Sequence, residues 1–377
     1  MARFEGRNLS QPIPERIREA REAQGLTLDT FAEHLDVSRQ AVAQYETGQI
    51  SPSGKVMGRI IYVTSQPLSY FVSKRNRSSD GVNVFWRSLK RMKLADRKRI
   101  ARRLEWASDI VSYIEQFINL PDVDIPVPPF DPNDDDFYEI EEAADLVRKL
   151  WDLGRGPIRD LGAIVESRGI LLIRDFAECD DMDAVSCWQG ARPFILLSTE
   201  IESGPRDKWN LAHELGHILL HSGVHVVTTN LNKVEKQANR FAGALLLPQE
   251  TFSQEVFGTS IESFEYLKAR WGVSIAAMAY RCKDLEILSA TQHQYLMKQM
   301  NVRRIRKVEP LDDAFPVNKP TVLPEAIRML VERGVQTKKQ LEDALCLGIS
   351  DIERLCGVEP GYLNTTVVPF MPRPKRA

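Results

Sequence analysis

Apolar residues recur at three- and four-residue steps along much of the chain, which is the spacing of helices with one buried face. Near the N-terminus this pattern predicts three short helices, over residues 14–24, 27–35 and 38–47. Gly25 is placed to end the first helix, and Thr27 and Ser38 are placed to cap the next two. Only Asp36 and Val37 separate the second helix from the third, so we expect a small, tightly turned helical bundle.

A longer helical pattern covers residues 84–119, where an apolar stripe from Trp86 to Ile118 is interrupted at Lys93 and Arg97. Such a helix has to bury its stripe, either against the rest of the chain or against a second copy of it. The pattern is also basic, because residues 74–103 hold twelve Lys or Arg and only two Asp. This run is either a solvated face or a source of phosphate contacts for a neighbouring nucleic-acid-binding element.

Residues 120–136 interrupt all periodicity with five prolines and several acidic side chains. We interpret them as an extended acidic linker and as the clearest domain boundary. Beyond it, the pattern predicts helices over 139–151 and 158–168, a strand over 170–173, and a hairpin of strands 184–188 and 194–198. A free edge of this small sheet would suit an extended peptide, with the turn at 189–193 as its rim.

The chain beyond residue 253 is predicted to be helical, with Ser274 as an N-cap. A proline-rich break at Pro316, Pro320 and Pro324 precedes a last module whose two helices begin at Thr337 and near Ser350. The predicted fold is multidomain and mainly α, in four segments. These are an N-terminal helical bundle (1–75), a long basic helix with its acidic linker (76–136), a central α+β domain (137–300), and a C-terminal helical module with a tail (301–377).

Composition predicts a cytoplasmic protein that does not interact with membranes. The net charge is only −2, and no apolar run approaches the roughly 18 residues of a membrane span. The N-terminus lacks the apolar region of a signal peptide. The five scattered cysteines contain no Cys-x-x-Cys pair, so we expect reduced thiols.

The most specific chemistry lies at His213, Glu214 and His217, which form a His-Glu-x-x-His motif in a chain with only six histidines. On a helix, both imidazoles leave one face about one turn apart, as two ligands of one tetrahedral zinc ion require. Glu214 is then free to act as a general base toward water, whose pKa zinc lowers to roughly 7. The alternative is a buried helix that carries two histidines by chance.

A hydrolytic zinc site also needs a third protein ligand and an open position. The next predicted helix carries Glu235 and Asn239 on one face and stops at Pro248. We predict Glu235 as the third ligand, the alternative being a solvated surface charge, and Asn239 as a hydrogen-bond partner of a ligand histidine. His221 continues the same helical face, and we expect it to support or line the site, because a fourth ligand would close it.

The runs His213-Glu-Leu-Gly-His217-Ile-Leu-Leu-His221 and Glu235-Lys-Gln-Ala-Asn239-Arg-Phe-Ala resemble the ImmA/IrrE family of zinc metallopeptidases. The resemblance covers about residues 140–290. It implies a gluzincin-like metallopeptidase domain in which His213, His217 and Glu235 bind zinc and Glu214 is the general base. It also implies a protein substrate, typically a transcriptional repressor whose cleavage starts a stress, mobile-element or defence response.

Residues 26–48 resemble the XRE-type helix-turn-helix family, whose second motif helix enters the major groove of DNA. Ser38, Arg39, Gln40 and Gln44 are predicted on the outer face of that helix, where Arg and Gln suit guanine and adenine edges. The alternative is a helical module that only docks proteins. A homodimer is compatible with this motif, because such proteins commonly bind two half-sites.

Two functions are therefore compatible with the sequence. The first is a DNA-binding zinc endopeptidase that regulates transcription by cleaving a repressor. The second is a transcriptional regulator whose zinc domain only senses metal or binds a partner. Glu214 favours the first, because binding a metal does not by itself require a general base.

Overall fold

The computed structural model describes residues 11–74, 83–84, 93–131, 137–175, 183–221 and 231–364. The chain divides into two compact units. Unit 1 comprises Met1–Asn76, Lys98–Ile118 and Pro324–Ala377, and unit 2 comprises Arg77–Arg97 and Asn119–Leu323. The N-terminal and C-terminal helices thus belong to one compact unit, and the division of the chain into four segments stays a prediction.

The described residues are mainly helical, with one small sheet. In chain order the helices are α1 (Pro14–Ala23), α2 (Leu28–Leu35), α3 (Arg39–Thr47), α4 (Gly54–Thr64), α5 (Leu68–Val72), α6 (Leu94–Ile114), α7 (Phe137–Leu150), α8 (Leu161–Ser167), α9 (Gly204–Leu220), α10 (Leu231–Leu246), α11 (Gln249–Glu255), α12 (Ile261–Trp271), α13 (Ile275–Asp284), α14 (Ala290–Val302), α15 (Val322–Glu332), α16 (Lys338–Leu345) and α17 (Ile349–Cys356). The strands are β1 (Asn83–Val84), β2 (Leu171–Asp175), β3 (Ala184–Gln189) and β4 (Arg192–Ser198). Within these described stretches, no helix is long and apolar enough to cross a membrane.

The three N-terminal helices form as the sequence predicts, because their end signals are local. The Thr27 hydroxyl oxygen accepts a hydrogen bond from the backbone N–H of Thr30 at 3.1 Å and caps α2. Ser38 caps α3 in the same way through the N–H of Ala41, also at 3.1 Å. Gly25 follows α1 with a positive φ of 70°, a conformation that costs glycine little.

The long basic helix predicted over 84–119 is wrong at its beginning. Val84 lies in β1 and pairs with Cys187 of β3, and α6 begins only at Leu94. Trp86 and Leu89, which opened the predicted stripe, lie outside the described residues. From Ile100 onward the apolar face of α6 is buried within a single chain, so a second copy is not required to cover it.

The sheet of unit 2 has the strand order β1-β3-β4-β2. Strands β3 and β4 form the predicted antiparallel hairpin, with Ser186 opposite Ile195. Strand β2 runs parallel to β4, and the chain reaches β4 from β2 by way of β3, which lies on the other side of β4. Helix α9 packs against β3 and β4, which places the buried face of the sheet beside the His-Glu-x-x-His helix.

The acidic segment after α6 is extended, as predicted, but it is bound along unit 2 rather than free. The backbone N–H of Asp124 donates to the carbonyl of Arg168 at 3.1 Å. The Arg192 guanidinium donates to the carbonyl of Pro121 at 2.9 Å, and Phe130 packs against the core of the unit. The domain boundary therefore lies before this segment, because its backbone and side chains already belong to unit 2.

A buried ion cluster fixes the helices that follow α11. The Lys268 ammonium is fully buried and lies 3.0 Å from Glu309 and 2.6 Å from Asp312. Glu309 also accepts the backbone N–H groups of Ile275 and Ala276 at the start of α13, where Ser274 is the predicted N-cap. One cluster thus holds α12, α13 and the short 3-10 helix Asp312–Ala314 together.

Replacing Lys268 with methionine should lower the free energy of unfolding by about 3–5 kcal/mol, because two buried carboxylates lose their cation. Lys298→Met is the matched control. Lys298 is exposed, so its replacement should change stability by no more than about 0.5 kcal/mol. Urea titrations followed by tryptophan fluorescence measure both values. Equal effects of the two substitutions would contradict the structural role of the cluster.

Candidate metal centre

Helix α9 carries His213, Glu214 and His217, and it packs closely against α10. The Ser203 hydroxyl oxygen caps the helix by accepting the N–H of Arg206. At Gly216, an added Cβ would lie 3.1 Å from the Phe241 ring and 3.3 Å from the backbone of Ala238. The missing side chain therefore allows α10 to approach, which brings the second predicted ligand helix beside the first.

The donor atoms of the predicted ligands converge. The Nε2 atoms of His213 and His217 lie 3.1 Å apart. Glu235 of α10 places one carboxylate oxygen 3.3 Å from Nε2 of His213 and the other 3.6 Å from Nε2 of His217. Ligands bound tetrahedrally at the 2.0–2.1 Å typical of zinc are roughly 3.3–3.4 Å from one another. The two imidazole nitrogens and the Glu235 carboxylate therefore converge on one point, with a different carboxylate oxygen nearest to each ring.

Hydrogen bonds on the far side of each ring determine which nitrogens face this point. Nδ1 of His213 lies 3.2 Å from Oδ1 of Asn239, so Nδ1 carries the proton. Nε2 of His221 lies 3.0 Å from Oε1 of Gln237 and also donates. Nδ1 of His221 then accepts from Nδ1 of His217 at 3.1 Å. In this assignment both Nε2 atoms present a lone pair to Glu235.

The electrostatics of this cluster favour a cation. Two nitrogen lone pairs 3.1 Å apart face a carboxylate. Burial opposes protonation of His213, but the hydrogen bond that the protonated ring donates to Glu235 and the charges of Glu214 and Glu235 outweigh it and raise the His213 pKa. Burial and the neighbouring imidazoles lower the pKa of His217. The donor set of two imidazole nitrogens and a carboxylate therefore fits a divalent metal ion.

Within the described part of the chain, one carboxylate atom supports the same conclusion. Oε1 of Glu235 is buried and accepts no hydrogen bond there. A buried carboxylate oxygen without a donor is costly. A metal ion at the convergence point would compensate that cost, so the residues fit the group that the motif implies.

Glu214 lies beside this cluster in a different environment. Its side chain is buried, and Oε2 accepts a short hydrogen bond of 2.6 Å from the Ser186 hydroxyl. Burial raises the pKa of Glu214, while the neighbouring His213 and the Ser186 hydrogen bond act in the opposite direction. A carboxylate of raised basicity, held in one orientation, is suited to accept a proton from a reacting water.

The structure brings together all of the residues that the sequence predicted for this site, and their roles stay predictions. The sequence analysis missed two members of the cluster, Ser186 and Gln237. Ser186 is a fully buried hydroxyl within the otherwise apolar run Ala-Val-Ser-Cys-Trp of β3, and a polar residue in such a strand was the available signal. The ring of Phe130 lies 6.2 Å from that of His221, so the acidic segment also contributes to the wall of the site.

The predicted DNA-reading face lies on α3. Ser38, Arg39 and Gln40 are exposed, and Gln44 is half-buried. Arg39 pairs with Asp29 at 3.3 Å, and both side chains are mostly exposed. Exposed pairs of this kind contribute little free energy, so Arg39 is able to exchange this partner for another.

The basic residues of α6 are largely engaged within unit 1. Lys98 and Arg102 both donate to the buried carboxylate of Glu22 at 2.9 Å. Arg103 is buried and lies 2.9 Å from Asp351. The sequence offered two alternatives for the basic run, a solvated face and a phosphate-binding face. Neither describes Lys98, Arg102 and Arg103, because these side chains stabilise the packing of α6.

Comparison with known families places two domains on this chain. Residues 17–63 match the sequence model of a helix-turn-helix domain, and they span α1 to α4. Residues 165–283 match that of Peptidase_M78, the IrrE N-terminal-like domain, and they contain every residue of the metal cluster. A search of curated proteins found no match. The chain therefore carries an N-terminal helix-turn-helix domain followed by an IrrE N-terminal-like, Peptidase_M78 domain.

Proposed function

We propose that this chain is a zinc-dependent endopeptidase that binds DNA through α3 and regulates transcription by cleaving a transcriptional repressor. The observation that carries the proposal is the combination of a converging two-histidine, one-glutamate donor set with the buried carboxylate of Glu214. A site that only senses a metal has no need of such a base. The Peptidase_M78 match supports the same reading.

In the proposed reaction each residue of the cluster has one task. His213, His217 and Glu235 would hold zinc, which would polarise the scissile carbonyl and lower the pKa of water. Glu214 accepts the proton of the attacking water and returns it to the departing amine. Ser186 keeps the Glu214 carboxylate in position through its 2.6 Å hydrogen bond.

The sheet suggests where the substrate binds. On the outer edge of β3, the chain's own β1 pairs with Trp188 and Cys187, next to the turn that the sequence predicted as the groove rim. Among the described residues, no strand pairs with Ala184, Val185 or Ser186 on that side. An extended substrate that adds to this part of the edge by backbone hydrogen bonds would pass beside Ser186 and Glu214.

Co-expression with repressors encoded in neighbouring genes tests the proposed activity. We expect intact-mass spectrometry to find two repressor fragments whose masses sum to that of the repressor plus one water. The same experiment with Glu214→Gln should leave the repressor intact. Binding of an uncut repressor by the wild-type chain would instead support the regulator whose metal domain is not proteolytic.

DNA binding through α3 is tested by Arg39→Ala. A base-edge contact by arginine is worth about 1–3 kcal/mol, so specific affinity for the chain's own promoter should fall while affinity for random DNA changes little. Arg303→Ala is the matched control, because Arg303 also forms an exposed ion pair, with Glu262, but lies in unit 2. Gel-shift titrations measure all affinities, and equal effects of both variants would contradict a specific role for α3.

A further inference from the structure

The C-terminal helices repeat the sequence of the N-terminal helix-turn-helix. When residues 13–48 are placed against residues 323–358, the two segments share seven identities at one constant spacing. The pairs are Pro14 and Pro324, Glu15 and Glu325, Ile17 and Ile327, Arg18 and Arg328, Glu22 and Glu332, Thr27 and Thr337, and Leu35 and Leu345. These seven identities among 36 aligned positions direct attention to the local structure of the two segments.

The two segments also have the same local structure. Helices α15, α16 and α17 correspond to α1, α2 and α3. The Thr337 hydroxyl caps α16 through the N–H of Gln340, as Thr27 caps α2. The tight turn contains a left-handed residue in both copies, Asp36 with φ 55° and Cys346 with φ 53°. A non-glycine residue in this conformation is uncommon, so the shared turn is strong evidence of a common fold.

The buried side chains of the two motifs correspond as well. Phe31 and Leu341 are 0% and 1% exposed, and Val42 and Ile352 are both fully buried. The same positions that form the core of the first copy therefore form the core of the second. We infer that residues 322–357 are a second helix-turn-helix, with α17 in the position of the DNA-reading helix.

The second copy lacks the DNA-reading chemistry of the first. Arg39 and Gln40 are replaced by Ile349 and Ser350. Asp351, which follows them, is 4% exposed and accepts from Arg103 at 2.9 Å and from Gln66 at 2.6 Å. The start of α17 is therefore bound inside unit 1, and an acidic residue there would repel DNA phosphates.

The second copy instead contacts the first. Gly348, which occupies the N-cap position of α17, donates its N–H to Gln66 at 2.9 Å. A side chain at this position would collide with the carbonyl of Ser65. Ser65 and Gln66 form the turn between α4 and α5, so the turn of the second motif packs directly on the first domain. This backbone contact explains why glycine stands where the first copy has the capping residue Ser38.

The second motif thus serves as an intrachain partner of the first. Helix-turn-helix proteins commonly need a second subunit to place two reading helices on two half-sites. Here the second copy is already present within the chain and carries no reading helix. The second copy thus takes the place of a second subunit at the α4–α5 turn, and we expect the chain to be a monomer. The expectation that α3 alone reads one half-site rests on the proposed DNA binding.

Light scattering on the full chain tests the expected monomeric state in the absence of DNA. We expect a monomer of 42.9 kDa at micromolar concentration. Conversely, a stable dimer that persists on dilution would overturn the inference that the second copy takes the place of a second subunit. This measurement is independent of DNA binding, so failure of the proposed DNA function would leave its outcome fully interpretable.

Gel-shift and footprinting experiments on the chain's own promoter test whether α3 alone reads one half-site. We expect one chain per DNA, with protection confined to less than about one helical turn, roughly 10 base pairs. Arg354→Ala, at the α17 position that corresponds to Gln44, should change affinity less than twofold, whereas Arg39→Ala should lower it at least fivefold. Both variants remove one exposed positive charge. Equal losses, or two chains on a palindromic site, would overturn the inference.

Discussion

Glu214→Gln is expected to lower the rate of substrate cleavage by a factor of about 10²–10⁴, the usual contribution of a general acid–base group, while zinc stays bound. Glutamine keeps the length of the side chain, and its carbonyl oxygen still accepts the hydrogen bond that Ser186 donates at 2.6 Å. Only the capacity to accept a proton is removed. Single-turnover assays measure the rate, and elemental analysis measures the metal.

Glu250→Gln provides the control for this experiment. Glu250 lies at the start of α11 with a mostly exposed side chain, so its substitution should change neither the cleavage rate nor the zinc content. Wild-type cleavage by the Glu214 variant would show that another group accepts the proton. Loss of zinc from that variant would show that Glu214 is a ligand.

The convergence of the predicted ligand side chains was predictable because these residues form pairs four apart on helices. His213 and His217 share a face of α9, and Glu235 and Asn239 share a face of α10, so helix geometry alone aligns each pair. Ser186 had no such signal, because it reaches Glu214 from a strand 28 positions away. Contacts of that kind depend on how β3 packs against α9, which a local pattern does not contain.

The contrast between local signals and long-range contacts also explains which parts of the fold were predicted correctly. Helices α1 to α3 were predicted to within one residue at all six ends, because hydroxyl caps and Gly25 act locally. Val84 was assigned to the start of a helix because the apolar stripe begins just after it, but its pairing with Cys187 is a long-range contact. Helix α15 was missed because Pro324 suggested a break, although proline is tolerated in the first turn of a helix.

The second helix-turn-helix was overlooked for a chemical reason. The helix boundaries near Thr337 and Ser350 were recognised, although α17 begins at Ile349 with Gly348 as its N-cap. The repeat preserves cap, turn and core positions but replaces the polar side chains that identify a DNA-reading helix. The second copy has no Arg or Gln at the positions of Arg39 and Gln40. Only a direct comparison of the two segments therefore reveals that they share a fold.

Glu235→Ala is expected to lower zinc affinity more than 100-fold, so that a chain purified with about one zinc should retain almost none after dialysis. Loss of a residue that only hydrogen-bonds a ligand lowers metal affinity by about 10–100-fold. A direct ligand contributes more, so its loss should exceed that range. Asn239→Ala should lower zinc affinity by the smaller factor, because Asn239 does not bind the metal and only forms a 3.2 Å hydrogen bond with His213. Glu250→Ala should leave the affinity unchanged.

Competition with a chromogenic chelator gives all three affinities and distinguishes the two glutamates of the site. Donor atoms of His213, Glu214 and His217 lie within 4.8 Å of one another, so Glu214 is the competing candidate for the third ligand. The Glu235 carboxylate favours Glu235 instead, because one of its oxygens lies 3.3 Å from Nε2 of His213 and the other lies 3.6 Å from Nε2 of His217. If Glu235→Ala kept its zinc while Glu214→Gln lost it, Glu214 would be the ligand, and the proposed proton transfer would have no base.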